Sequence, residues 1–242
     1  MSRLASGRRA GAWALAASVV LSAATAAVGA ALPRVSYYLT STLIVLFTLL
    51  PFFASFEGRR PQARELAVLA VLTALAVVSR AVFAWVPHFK PMAGIVMIAG
   101  MAAGPQAGFL VGALSALTSN FLFGQGPWTP WQMLAFGAAG LMGGALTRLR
   151  LFPREGLSWG RRIALAVVGY LAVQLVVGPI LDTSTLFYLM GSPSLALVVA
   201  IYAAGAPVNA IHGTATAATL LLAANPLLDQ LARLRTKYGL LE

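Results

Sequence analysis

Leu66-Ala-Val-Leu-Ala-Val-Leu-Thr-Ala-Leu-Ala-Val-Val-Ser-Arg80-Ala-Val-Phe-Ala-Trp-Val86 is a run of 21 residues with one charge. As an α-helix rising 1.5 Å per residue it is roughly 31 Å long, the thickness of a bilayer hydrocarbon core. It has no polar face to turn to water, so it reads as a membrane span rather than an amphipathic surface helix. Seven further apolar segments flank it, at 12–32, 37–53, 92–103, 106–121, 130–146, 163–181 and 194–224. The whole chain agrees: 242 residues, 60% apolar and only 10% charged, with a mean hydropathy of +0.84. A soluble domain needs about 25% charged residues to cover its surface. The fold class is all-α: a polytopic membrane helix bundle.

The net charge of +11 does not point to nucleic acid, because the basic residues lie in short clusters between apolar runs. With the N-terminus inside, 14 of the 17 fall on the cytoplasmic side: Arg3, Arg8, Arg9; Arg59, Arg60, Arg64; Arg148, Arg150, Arg154, Arg161, Arg162; Arg233, Arg235, Lys237. Only Arg34 and Lys90 fall in outer loops, and Arg80 lies inside the 66–86 segment. By the positive-inside rule this asymmetry predicts eight spans in the cell membrane with both termini cytoplasmic. Arg3, Arg8 and Arg9 before 12–32 resemble a secretory leader, but the segment exceeds the 7–15 apolar residues of a leader core, which favours a retained span.

Two segments are irregular. That at 92–103 is too short to cross alone, and Gly104–Pro105 ends it in a tight turn. The last is too long to cross upright, with Gly205, Pro207 and Gly213 as places to bend. Residues 1–57 are expected to form an N-terminal helix pair, 58–226 a six-helix core and 227–242 a basic cytoplasmic tail.

Absences narrow the chemistry. There is no cysteine and there are two histidines, His88 and His212, so thiolate and histidine-rich metal sites are excluded. No phosphate-binding loop, H-E-x-x-H or G-x-S-x-G motif occurs. The six acids, Glu57, Glu65, Glu155, Asp182, Asp229 and Glu242, all fall in expected loops or helix ends. A proton- or sodium-coupled carrier of an organic solute usually keeps a carboxylate inside its bundle, and a membrane enzyme or scaffold with chemistry needs a reactive pair. Neither is evident, and no catalytic residue, cofactor or metal is expected.

Three features remain. Ala63, Ala67, Ala70, Ala74, Ala81 and Ala84 recur at helical spacings, with Ala70 and Ala74 as A-x-x-x-A. Such a stripe serves either internal packing or close docking of a second membrane protein. The stretch from Phe121 to Met133 combines Gly124, Gly126, Pro127 and Pro130 with Trp128, Trp131, Gln125 and Gln132. It reads as an irregular outer loop, either an interfacial aromatic belt or a binding surface. Arg80, about seven residues from the outer end of its segment, either snorkels or faces the bundle. Lys90 follows in the next loop; Asn120, Gln174, Asn209 and His212 lie within segments, where polar residues usually bond across helices. Asp182, Thr183, Ser184 and Tyr188 are expected in an outer loop.

Arg64-Glu65-Leu66, the alanine-rich helix after it, Phe89-Lys90-Pro91 and Phe123-Gly-Gln-Gly-Pro-Trp-Thr-Pro-Trp-Gln-Met133 resemble the substrate-binding S components of energy-coupling factor (ECF) transporters over about residues 57–224. The resemblance implies a six-helix core that binds a vitamin from outside. It also implies docking on a transmembrane T subunit powered by two cytosolic ATPases. The aromatic loop looks most like that of the cobalamin or cobalamin-precursor subgroup. The two leading helices depart from the six-helix pattern. On this reading Arg80, Lys90, Asn120, Gln125, Trp128, Trp131, Gln132, Asp182, Tyr188 and Asn209 hold the substrate, and Ala67, Ala70 and Ala74 meet the T subunit.

Overall fold

The computed structural model describes residues 37–58, 62–189 and 194–238, with positions 17, 20, 21, 24 and 25 before them. The expected span at 12–32 otherwise lies outside the described residues. Every regular element among these is helical. We number them α1 (Tyr37–Gly58), α2 (Ala63–Val82), α3 (Met92–Ala103), α4 (Pro105–Phe123), α5 (Thr129–Arg148), α6 (Trp159–Ala172), α7 (Gly178–Leu189) and α8 (Leu195–Tyr238). A π-helical turn, Val173–Val177, joins α6 to α7 without a break. Helices α2 to α8 thus make a six-helix core, with the α6–π–α7 rod counted once. The chain is a polytopic membrane helix bundle. Among the described residues, Ala63–Val82, Pro105–Phe123, Trp159–Phe187 and Leu195–Lys237 are long and apolar enough to cross.

Helix α3 is short because it does not face lipid. All 12 of its residues are buried, so it is the centre of the core rather than part of its wall. Gly104 at φ +93° ends it, and Pro105 starts α4 at once. Pro suits a first helical turn because its missing N–H has no partner there anyway. The one-residue turn folds α4 back along α3, and glycines let the backbones touch. A Cβ on Gly100 would stand 2.0 Å from the Gly140 carbonyl oxygen, and one on Gly140 would stand 2.0 Å from that of Gly108. Helices α3, α4 and α5 therefore meet backbone to backbone, as small residues permit in membranes. We expect Gly140→Ala to lower stability by about 1–3 kcal/mol, the range for overpacking. The control is Gly160→Ala, whose Cβ meets nothing within 4 Å. Thermal unfolding in detergent checks this: equal melting of the two variants would remove the close-contact account.

Four expected boundaries shift. Helix α2 ends at Val82 rather than 86, and turns follow, so Arg80 sits in its last turn. The outer loop expected over 121–133 shrinks to 124–128. Helix α4 runs through Phe123 to Gly124 at φ +100°, and α5 already starts at Thr129 with Pro130 in its first turn. The expected loop at 182–188 is helix: α7 continues to Leu189. Pro179 lacks the N–H that would bond to residue 175, and the wider π turn just before it absorbs that defect. The Thr183 hydroxyl then donates to the Pro179 carbonyl at 2.7 Å. Last, α8 is a single helix of 44 residues with Pro207 and Pro226 inside. It continues through the expected tail as far as Tyr238, burying Leu228 and Leu231.

Candidate functional site

At the end where α2 and α4 finish and α3 and α5 begin, polar side chains converge. Arg80 is buried, 8% exposed, so it turns into the bundle and does not snorkel. Its Nη1 donates to the Ser119 hydroxyl at 2.5 Å and to Asn120 Oδ1 at 3.0 Å. Its guanidinium carbon lies 4.6 Å from the centroid of the Phe123 ring, a cation–π geometry. Asn120 Nδ2 donates to the Thr129 hydroxyl at 3.0 Å and to Gln132 Oε1 at 2.8 Å. Thr129 donates in turn to Gln125 Oε1 at 2.9 Å, and Gln125 Nε2 to the Leu117 carbonyl at 2.9 Å. One network thus ties α2, α4, the 124–128 loop and the first turn of α5.

Among the described residues the charge in this network has no counter-ion. Arg80 meets only neutral oxygens and a ring face. Lys90, in the loop leading into α3, has no hydrogen-bond or carboxylate partner among the described residues. Burial, and secondarily the charge of Arg80, holds its ammonium below the ordinary lysine range. Phe83 and Phe89, with ring centroids 5.2 Å apart, pin that loop at both ends.

The two tryptophans separate. Trp128 is 38% exposed, and its ring lies over Gly126, where a Cβ would come within 2.5 Å of it. Trp131 is 7% exposed and stacks on Phe187 of α7, centroids 5.9 Å apart at 23°. Its buried indole N–H has no hydrogen-bond partner among the described residues. One turn and a half further along α5, Phe136 packs on His212 of α8 at 5.8 Å, and His212 Nε2 is also buried and unpartnered. Buried donors and acceptors are paired in the great majority of cases, so these two atoms, one on α5 and one on α8, are left with unmet bonding capacity among the described residues.

Asp182 and Asn209 form a second pair. Asn209 Nδ2 donates to Asp182 Oδ2 at 2.8 Å. Glycines bring them together: a Cβ on Gly178 would stand 2.4 Å from Asn209, and one on Gly205 2.4 Å from Asp182. No hydrogen bond among the described residues joins this pair to the Arg80 network. Tyr188 falls in α7, with its side chain outside the described residues. Two expected cross-helix bonds are absent. Gln174 donates to Tyr170 on its own rod at 3.0 Å, and His212 bonds through neither helix neighbour at Nε2. Sequence reasoning missed Ser119, Thr129, Phe123 and Phe187. Ser119 had a signal, as the neighbour of Asn120 at the end of an apolar helix. Phe187 had none, because its apposition to Trp131 depends on α7 being helical.

Helix α2 has two faces. Leu69, Leu72, Thr73, Ala76, Val77 and Arg80 are buried, whereas Ala63, Ala67, Ala70 and Ala74 are exposed on the opposite side. No group of three or more histidine, aspartate or glutamate side chains is placed to hold a metal among the described residues.

A search of curated proteins and one of solved structures return no match. A family model described as "ECF-type riboflavin transporter, S component" matches residues 61–227. That stretch starts beside α2 and ends within α8, so it takes in the six-helix core and every polar group described above. The chain belongs to the family of ECF-type transporter S components.

Proposed function

We propose that this chain captures a vitamin at the outer end of its six-helix core and delivers it by docking on a T subunit driven by two ATPases. The observation that carries this reading is a set of donors with bonding capacity to spare. Among the described residues the buried Trp131 N–H and the Lys90 ammonium have no partner, and Arg80 meets neutral oxygens but no carboxylate. An acceptor-rich ligand edge supplies what they lack. Riboflavin suits the site in two ways. It is the vitamin in the matching model's description, and its flat ring ends in carbonyl and ring-nitrogen acceptors. Cobalamin is the second reading, favoured by the rim position of Trp128, where a wide ring has room to stack.

Calorimetric titration of the purified chain with riboflavin and with cobalamin separates the two. Tight one-to-one binding of riboflavin with no response to cobalamin is the expected result, and the reverse would replace the flavin reading. We further expect no uptake against a gradient by proteoliposomes holding this chain alone. Addition of a T subunit, two ATPases and ATP should start uptake. Accumulation by the chain by itself would overturn the dependence on partners.

A further inference from the structure

The opposite end of the bundle holds a cavity of about 330 Å³ between the end of α5 and the start of α6. Arg150, Arg154 and Arg161 line it beside Leu151, Phe152 and Pro153. Its size is near the lower end for small-molecule sites. None of the three arginines has an ion-pair or hydrogen-bond partner among the described residues. The acids nearby do not neutralise them: Asp229 accepts from the Gly156 N–H at 3.1 Å, and Glu155 makes no ion pair. Thr147, also in the wall, gives its hydroxyl to the Met101 and Gly144 carbonyls. The polar groups left to a ligand are therefore three guanidiniums, the side chains that best match phosphate oxygens.

Two further observations say which phosphate. Leu151, which lines the cavity, is 63% exposed, and Leu149 and Trp159, within two residues of lining arginines in sequence, are 69% and 59% exposed. At a bundle end which the charge asymmetry assigns to the cytoplasm, such residues sit in the membrane interface. The open cavity thus sets exposed apolar side chains beside three exposed guanidiniums. Also, Arg150 adopts φ +59°, a left-handed conformation that favours glycine. The backbone at this turn gains nothing from a long side chain, which points to a role for its charge.

We propose that this cavity binds the phosphate headgroup of an anionic phospholipid of the inner leaflet. Basic pockets between helices on the cytoplasmic side recognise such headgroups. Bound there, the lipid fixes the α5–α6 connection, which is already held to α8 by the Leu157 N–H bond to Asn225 Oδ1 at 2.8 Å.

The test uses the full chain, purified in mild detergent, with phosphatidylglycerol or phosphatidylcholine added and bound lipid counted by native mass spectrometry. One phosphatidylglycerol should be retained, with phosphatidylcholine held at least tenfold more weakly. Arg150→Gly relieves the left-handed strain, so it should melt no lower than wild type while holding phosphatidylglycerol about fivefold more weakly. Arg150→Gly with Arg161→Gln should lose about 25-fold. Arg64→Gln, which removes an exposed charge away from the cavity, should change nothing. Equal weakening by Arg64→Gln would mean diffuse surface charge rather than a site. Absence of a preference for phosphatidylglycerol would also overturn the proposal. So would displacement of the lipid by millimolar inorganic phosphate, which would assign the cavity to a soluble anion.

Discussion

Ala70→Trp or Ala74→Trp is expected to reduce uptake by the assembled transporter to background, with vitamin affinity of the purified chain within about twofold of wild type. The reason lies in which face of α2 these residues occupy. Its buried face carries Leu69, Leu72, Ala76 and Val77, which pack into the core. Ala63, Ala67, Ala70 and Ala74 lie on the far side at spacings of four, three and four, and are exposed. An alanine face turned to lipid contributes little packing within its own bundle, but it lets another helix approach to backbone distance. An indole there occupies space that only a partner would need, and an indole against lipid does not disturb the core. Leu175→Trp is the control, because Leu175 is 71% exposed on the α6–π–α7 rod. If both alanine variants still co-purify with the T subunit and transport normally, the docking face lies elsewhere. A fall in vitamin affinity in step with uptake would instead show damage to the core.

Much of this architecture was legible in the chain because membrane physics restricts the choices. Apolar runs of about 20 residues must be helices, since lipid offers no partner for free backbone groups. The Gly104–Pro105 turn followed from local chemistry alone. Three of the four shifted boundaries share one physical cause: polar or proline-containing ends of helices look like loops when tertiary contacts are unseen. Thr129-Pro130-Trp131-Gln132 reads as an irregular loop by composition, yet Pro130 is at home in a helix's first turn. Asp182-Thr183-Ser184 looks like a polar loop, yet α7 carries the helix through it to Leu189. Charge placement alone left two readings open at Arg80. Inside lipid a lone arginine costs about 2.5–3.5 kcal/mol on an insertion scale, which makes snorkelling attractive. The oxygens of Ser119 and Asn120 and the Phe123 ring, 39 to 43 positions away, supply the alternative, and no local pattern reports them.

The candidate site was legible as a list of residue types and not as a geometry. Gln125, Gln132, Asn120 and Arg80 were all expected near one ligand, and the structure joins them in one network. Much of their hydrogen-bonding capacity is spent on one another, which fixes their relative positions. The groups without any hydrogen-bond partner among the described residues are different, and include Trp131 Nε1, His212 Nε2 and Lys90. Orphaned atoms depend on what three or four helices jointly fail to provide, and that information lies in packing alone.

Trp131→Ala is therefore expected to weaken vitamin binding at least about 30-fold, equivalent to about 2 kcal/mol, the loss for truncating a buried aromatic anchor. Trp128→Ala should cost much less if the ligand is a single flat ring, because that indole lies over Gly126 at the rim. The loss at Trp131 has two parts, and Trp131→Phe separates them. Phenylalanine keeps a face to stack on Phe187 but removes the indole N–H. A buried donor without a partner carries a desolvation penalty of about 1–3 kcal/mol. A ligand acceptor that meets this N–H regains that energy on binding. Trp131→Phe removes the donor and so the regain, and affinity should fall about five- to tenfold even though the empty protein melts no lower. The Trp131→Ala protein should melt lower, because it also leaves a cavity beside Phe187. Titration calorimetry and thermal unfolding on the same preparations give both readings. If Trp131→Phe binds the vitamin as tightly as wild type, the indole N–H faces no ligand, and the site must be built on Lys90 and Arg80 alone. If Trp128→Ala instead costs as much as Trp131→Ala, the ligand reaches the rim, and the wide-ring reading replaces the flat-ring one.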